Sequence, residues 1–158
     1  MSRAACATSI RVVPLLYDES LCCASFDLCL EKDFPATTHD LDVDPLFDRF
    51  PGLHKHRCDS GKHRSFYDEA RQTESAHLLE HLGIELLAQE GIPRSRLRGE
   101  TGIHRNFEQL YSQNTQKGTL EGVDTALFRI RIYGVGSLDQ ASEALEQAAD
   151  LLKLLVKS

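Results

Sequence analysis

At 158 residues the chain has the length of a single domain and can bury a hydrophobic core without staples. Its composition, 41% apolar and 27% charged, is that of an ordinary globular protein and excludes an intrinsically disordered one. A formal charge of −6 argues against a nucleic-acid partner, which needs clustered Lys and Arg. No apolar run approaches the roughly 20 residues of a membrane-spanning helix, so no membrane association is expected.

The opening MSRAACATSI has one basic residue and no apolar stretch, so a secretory signal is not expected. The five cysteines (Cys6, Cys22, Cys23, Cys29 and Cys58) form no CxxC pair and no disulfide framework. Reduced thiols point to the cytoplasm.

Taken in chain order, residues 9–17 (SIRVVPLLY) read as a strand, which Pro14 restricts to a sheet edge or a bulge. Residues 22–30 alternate, with Cys22, Ala24, Phe26, Leu28 and Leu30 on one face and Ser25 and Asp27 on the other. Residues 35–53, with three prolines and many aspartates, read as a long connection. The clearest helix runs from Thr73, its expected N-cap, to Gln89, and Gly91 and Pro93 stop it. Residues 93–106 look irregular, and residues 112–125 (SQNTQKGTLEGVDT) read as a mobile loop.

Residues 126–135 form a second strand, with Phe128, Ile130 and Ile132 opposite Arg129, Arg131 and Tyr133. Its edge could pair with another copy, which makes a homodimer possible. Ser137 and Gln140 then open the last helix as a capping box. Leu138, Ala141, Leu145, Ala148, Leu152 and Leu155 line that helix at helical spacing as core. The expected fold is one α+β domain over 1–158, a small, mostly antiparallel sheet with two main helices packed on one face.

The chemistry concentrates on the central helix. His77 and His81 stand one turn apart and can direct both imidazoles at one ion. Glu80, between them, is in reach of a water molecule as general base. Leu78, Leu79, Leu82 and Leu86 occupy the opposite side, so the helix is expected to bury its leucines and present its histidines on the other face. H-x-x-E-H is the inverted zincin pattern, which needs both histidines on one helix. The same string also arises on a solvated polar face.

Upstream, His54, His56, Cys58 and His63 crowd ten residues, as a second metal site, as ancillary ligands, or as structural groups. Glu100, in a glycine-flanked turn, is a further ligand candidate. Arg94, Arg96, Arg98 and Arg105 crowd another stretch and could hold a carboxylate-bearing ligand, or stand as a solvated basic loop.

The block 50–91, FPGLHKHRCDSGKHRSFYDEARQTESAHLLEHLGIELLAQEG, resembles the N-terminal domain of cyanophycin synthetases. Leu53, His56 and Cys58 match its leucine–x–x–His–x–Cys segment, and His77, Glu80, His81 and Glu85 match its H-x-x-E-H-x-x-x-E helix. Gly99 and Thr101, the strand near 126–135 and the helix from Ser137 to Val156 correspond in order only. In some members of that family this domain resembles pitrilysin-type metallopeptidases and trims the polymer; in others it serves binding and assembly.

The resemblance implies His77 and His81 as metal ligands and Glu80 as catalytic base; two histidines and a carboxylate suit zinc best, with manganese or iron as alternatives. The implied substrate is cyanophycin or another arginine-rich polymer or peptide; from the cluster of arginines, Arg98 and Arg105 are the substrate-binding candidates. The alternative is a non-catalytic metal-containing binding or assembly domain. Pitrilysin-type enzymes take a third ligand, a glutamate, from well downstream, where this chain ends in Lys157 and Ser158. A substitute must come from Glu85, Glu100, Glu143 or Glu146, or from the segment of His56 and Cys58. Glu85 lies two turns from His77, about 12 Å at 1.5 Å per residue, and suits a hydrogen-bond partner of His81 better than a ligand.

Overall fold

The computed structural model describes residues 10–31, 34–57, 65–103 and 126–157. Apolar alternation builds the sheet. Strand β1 (Ile10–Asp18) turns through residues 19–22 into β2 (Cys23–Leu30), which buries Ala24, Phe26, Leu28 and Leu30. In the turn, the Asp18 carboxylate accepts from the Ser20 and Leu21 amides, and Cys22 takes a positive φ of 50°. Strand β3 (Arg98–Ile103) and strand β4 (Ala126–Tyr133) complete an antiparallel sheet of order β1-β2-β4-β3. Pro14 lies on the edge strand with a register shift between Pro14 and Leu16, where its missing N–H is tolerated.

Two expectations are corrected here. Strand β4 is interior, paired with β2 on one side and β3 on the other, so residues 126–133 offer no free edge to a second copy. Residues 98–103 are not irregular but form β3, in which Gly99 and Thr101 replace the apolar residues that usually mark an inner face.

The stretch 35–53 is likewise more ordered than a connection. It contains a 3-10 turn (Thr38–Asp40), helix α1 (Asp44–Arg49) and a second 3-10 turn (Pro51–Lys55). Pro45 and Pro51 sit in the first turns of these short helices, where a proline starts a helix rather than breaking one. The segment drives Leu41, Val43, Leu46, Phe47, Phe50 and Leu53 into the core.

Helix α2 (Phe66–Ala70) follows, with Ser65 capping the Asp68 amide at 3.2 Å. Helix α3 is Ser75–Gln89, so it starts two residues after Thr73, which is not its N-cap. Helix α4 (Leu138–Lys153) is opened by Ser137, which accepts from the Gln140 amide, while the Gln140 side chain accepts from the Gly136 amide. Its stripe of Ala141, Leu145, Ala148 and Leu152 is buried. Helix α3 packs on β3 and β4, and α4 on β1 and β2. The two helices meet at Gly83, where a Cβ would lie 2.6 Å from the Leu145 side chain.

The expectation of a helix with one solvated face is overturned for α3. Its leucines are buried, and so are Glu80, His81 and Glu85. The polar side is covered by β3, by the Pro51–Lys55 turn and by Phe66. No helix among the described residues is long and apolar enough to cross a membrane.

Candidate functional site

Helical spacing puts His77 and His81 one turn apart, and their Nε2 atoms approach to 3.1 Å. Their rings stand nearly perpendicular, with centroids 4.7 Å apart. Phe66 closes the pair: it stacks on His81 at 4.1 Å and meets His77 edge-on at 6.3 Å.

The other nitrogen of each ring is also engaged. His77 Nδ1 lies 3.0 Å from Thr73 Oγ1, and His81 Nδ1 lies 3.0 Å from His56 Nδ1. His56 Nε2 donates in turn to Glu85 Oε1 at 2.9 Å. Arg94 closes the row with two bonds to the Glu85 carboxylate, 3.1 Å from Nε and 2.5 Å from Nη2. Gly52 makes room for this pair, because a Cβ there would collide with Glu85 Oε2.

Glu80 points to β3. Its Oε1 accepts from the Thr101 hydroxyl at 2.6 Å, and its Oε2 lies 3.8 Å from His81 Nε2. The carboxylate rests on Gly99, where a Cβ would stand 2.4 Å from Oε2. No side chain but hydrogen fits there without moving Glu80.

Burial sets the protonation of these groups. It lowers the pKa of His56 and His77, and pushes His81 down to about 2 with help from the two neighbouring imidazoles. It raises Glu80 to about 7 against the hydrogen bond from Thr101. At Glu85 burial also works upward, but Arg94 and His56 outweigh it and hold the carboxyl below its ordinary range.

These shifts predict a pH dependence for the metal-free protein. All three histidines are shifted toward the neutral form in the native state, so the unfolded chain binds extra protons as pH falls below the ordinary 6.5. Stability is lost in that direction. Glu80 acts oppositely, since its native form keeps a proton between 4.5 and about 7 that the unfolded chain releases. His81 alone, displaced from 6.5 to about 2, spans the shared window, and two further histidines add to it. Urea midpoints are therefore expected to fall from pH 6.5 to 4.5; a rising profile would show that the rings are not held neutral.

Of the residues singled out from sequence, the structure brings together His77, Glu80, His81, His56 and Glu85. It does not bring Glu100, which alternates to the other face of β3 and accepts from Tyr133 Oη at 2.9 Å. Arg98 shares that outer face, its guanidinium 4.2 Å above the Tyr133 ring, and does not reach the histidines. Arg94 does hold a carboxylate, but an internal one. His54 packs against Phe47 and Tyr67 instead. Glu85 accepts from Arg94 and His56, and His56 in turn faces His81. Cys58, His63 and Arg105, and the stretch 112–125, lie outside the described residues.

Among the described residues, no group of three or more His, Cys, Asp or Glu side chains is arranged to hold an ion. Sequence reasoning missed Thr73 and Phe66 as members of the site. Thr73 carried a signal, standing four residues before His77 and so beneath it as the chain enters the helix.

Fold and site together define an α+β domain built around a buried histidine–carboxylate cluster. Comparison of the chain with protein-family models, curated proteins and solved structures yields no match.

Proposed function

We propose that this protein is a zinc-dependent amide or peptide hydrolase acting on cyanophycin or a related arginine-rich isopeptide. In this reading His77 and His81 ligate the metal and Glu80 is the general base. The observation that carries it is the convergence of two neutral imidazole nitrogens, 3.1 Å apart, beside a carboxylate with a pKa of about 7. Nitrogens bound at ~2.0–2.1 Å to a tetrahedral ion lie roughly 3.3 Å apart, so the two rings fit one ion with little movement. Their remaining nitrogens are already hydrogen-bonded, as those of ligating histidines usually are.

A divalent ion held by His77 and His81 would supply Lewis acidity to an amide carbonyl and to a water molecule. The chain's own work falls to Glu80. Thr101 holds Oε1, which leaves Oε2, on the histidine side, to take a proton from water and return it to the leaving amine. Phe66 covers the rings and excludes bulk water from them. The charge of −6 favours a cationic, arginine-rich substrate. The free thiols of Cys22, Cys23 and Cys29 suit the cytoplasm.

Elemental mass spectrometry on untagged protein tests the metal. The parent is expected to hold about one zinc per chain and the His77→Ala/His81→Ala variant none, with amine release from an arginine-rich isopeptide by the parent alone. No zinc after incubation with the ion overturns the reading. Zinc without turnover assigns the domain to binding or assembly instead.

A further inference from the structure

The hydrogen-bonded row through the site has a direction. A neutral imidazole carries one N–H and one bare nitrogen. The Glu85 carboxylate, clasped by Arg94, can only accept, so the proton of His56 must sit on Nε2, 2.9 Å away. The reverse would set a bare nitrogen against a carboxylate oxygen. His56 Nδ1 is then bare, and its contact with His81 Nδ1 at 3.0 Å is a hydrogen bond only if His81 donates.

That leaves His81 Nε2 bare. It accepts from His77 Nε2–H at 3.1 Å, and His77 Nδ1 accepts from the Thr73 hydroxyl at 3.0 Å. Every bond in the row therefore points one way, from Thr73 through His77, His81 and His56 to Glu85.

We infer that His56, Glu85 and Arg94 are positioning residues that lock His81 in its Nδ1–H tautomer, with Nε2 bare toward His77, while Thr73 is the adjustable end of the row. The tautomer assignment stands on these contacts between buried, neutral rings; its use for zinc rests on the function proposed above. For a cation His81 is already in the ligating form. His77 has to move its proton from Nε2 to Nδ1, which leaves the proton count of the ring unchanged. The Thr73 hydroxyl, able to donate or accept, follows by rotating. One ligand is preset and the other adapts.

Long-range 1H–15N correlation spectra of the metal-free full chain read these tautomers directly. The expected pattern is His81 as Nδ1–H, with His56 and His77 as Nε2–H. In Glu85→Gln the amide can donate as well as accept, so the row loses its fixed direction. Mixed tautomers at His81 and about 10–100-fold weaker zinc binding are expected there, with backbone amide spectra confirming the fold. Thr73→Val should leave the His81 tautomer intact and weaken zinc binding, since the hydroxyl that follows the proton to His77 Nδ1 is then gone. His81 as Nε2–H in the parent, or an unchanged single tautomer in Glu85→Gln, overturns the inference. Failure of the two proposals is distinguishable: a parent that takes no zinc but shows the expected tautomers removes the hydrolase and keeps the row. A zinc-binding parent with His81 as Nε2–H does the opposite.

Discussion

Glu80→Gln is expected to reduce amide hydrolysis by about 10²–10⁴-fold while leaving zinc content unchanged, as steady-state assays beside metal analysis would record. The substitution keeps volume and shape. Glutamine Oε1 can still accept from Thr101, and the amide still lies over Gly99, so the site is not rebuilt. What is lost is the capacity to hold a proton near neutrality. Because Glu80 is 4% exposed and its ionised form is disfavoured by burial, the same change removes a cost from the fold. The variant should gain on the parent as pH rises from 4.5, where an ordinary glutamate ionises, to about 7, and hold that gain above it. Lower activity with higher stability at pH 8 is the signature of a buried base. Undiminished turnover would remove Glu80 from the chemistry.

Phe66→Ala is expected to cost about 3–5 kcal/mol of stability, measured by urea unfolding, because it empties a ring-sized volume in a close-packed core. Phe66 is fully buried and touches Phe47 as well as the His56, His77 and His81 rings. The loss therefore falls on the site and the core at once. Zinc binding by the folded variant should also weaken, since the stacked ring is what holds His81 in its plane. A loss below about 1 kcal/mol would mean that the ring is not packed as described.

The elements that could be read from the residues are those with a strong apolar period. Strand β2 shows alternating Ala24, Phe26, Leu28 and Leu30, and α4 repeats its apolar residues every three or four positions. The α+β class follows from them. Strand β3 was illegible for a physical reason: its inward positions are Gly99 and Thr101 because Glu80 occupies the space that apolar side chains would fill. Helix α1 was hidden by its composition, since Asp and Pro mark both a connection and the first turn of a short helix.

In the site, the four-residue spacing of His77 and His81 and the nearby Glu80 were legible. That α3 is enclosed was not, because a polar face met by other polar groups reads in sequence like a face met by water. Arg94 showed only its charge; its partner, nine positions earlier on α3, became visible only with the chain folded.

The burial of α3 on every side ties the fate of the site to that of the whole domain. Its histidines and carboxylates are not displayed on a loop that can open by itself. They are reached by segments from before the helix, including His56 and Phe66, and from after it, including Arg94 and Thr101. Backbone amides in such an element exchange with solvent mainly through the rarest, global openings. A ligand bound among these side chains is therefore a clamp on the entire cooperative unit, and the domain's resistance to unfolding rises with its occupancy rather than with any single contact.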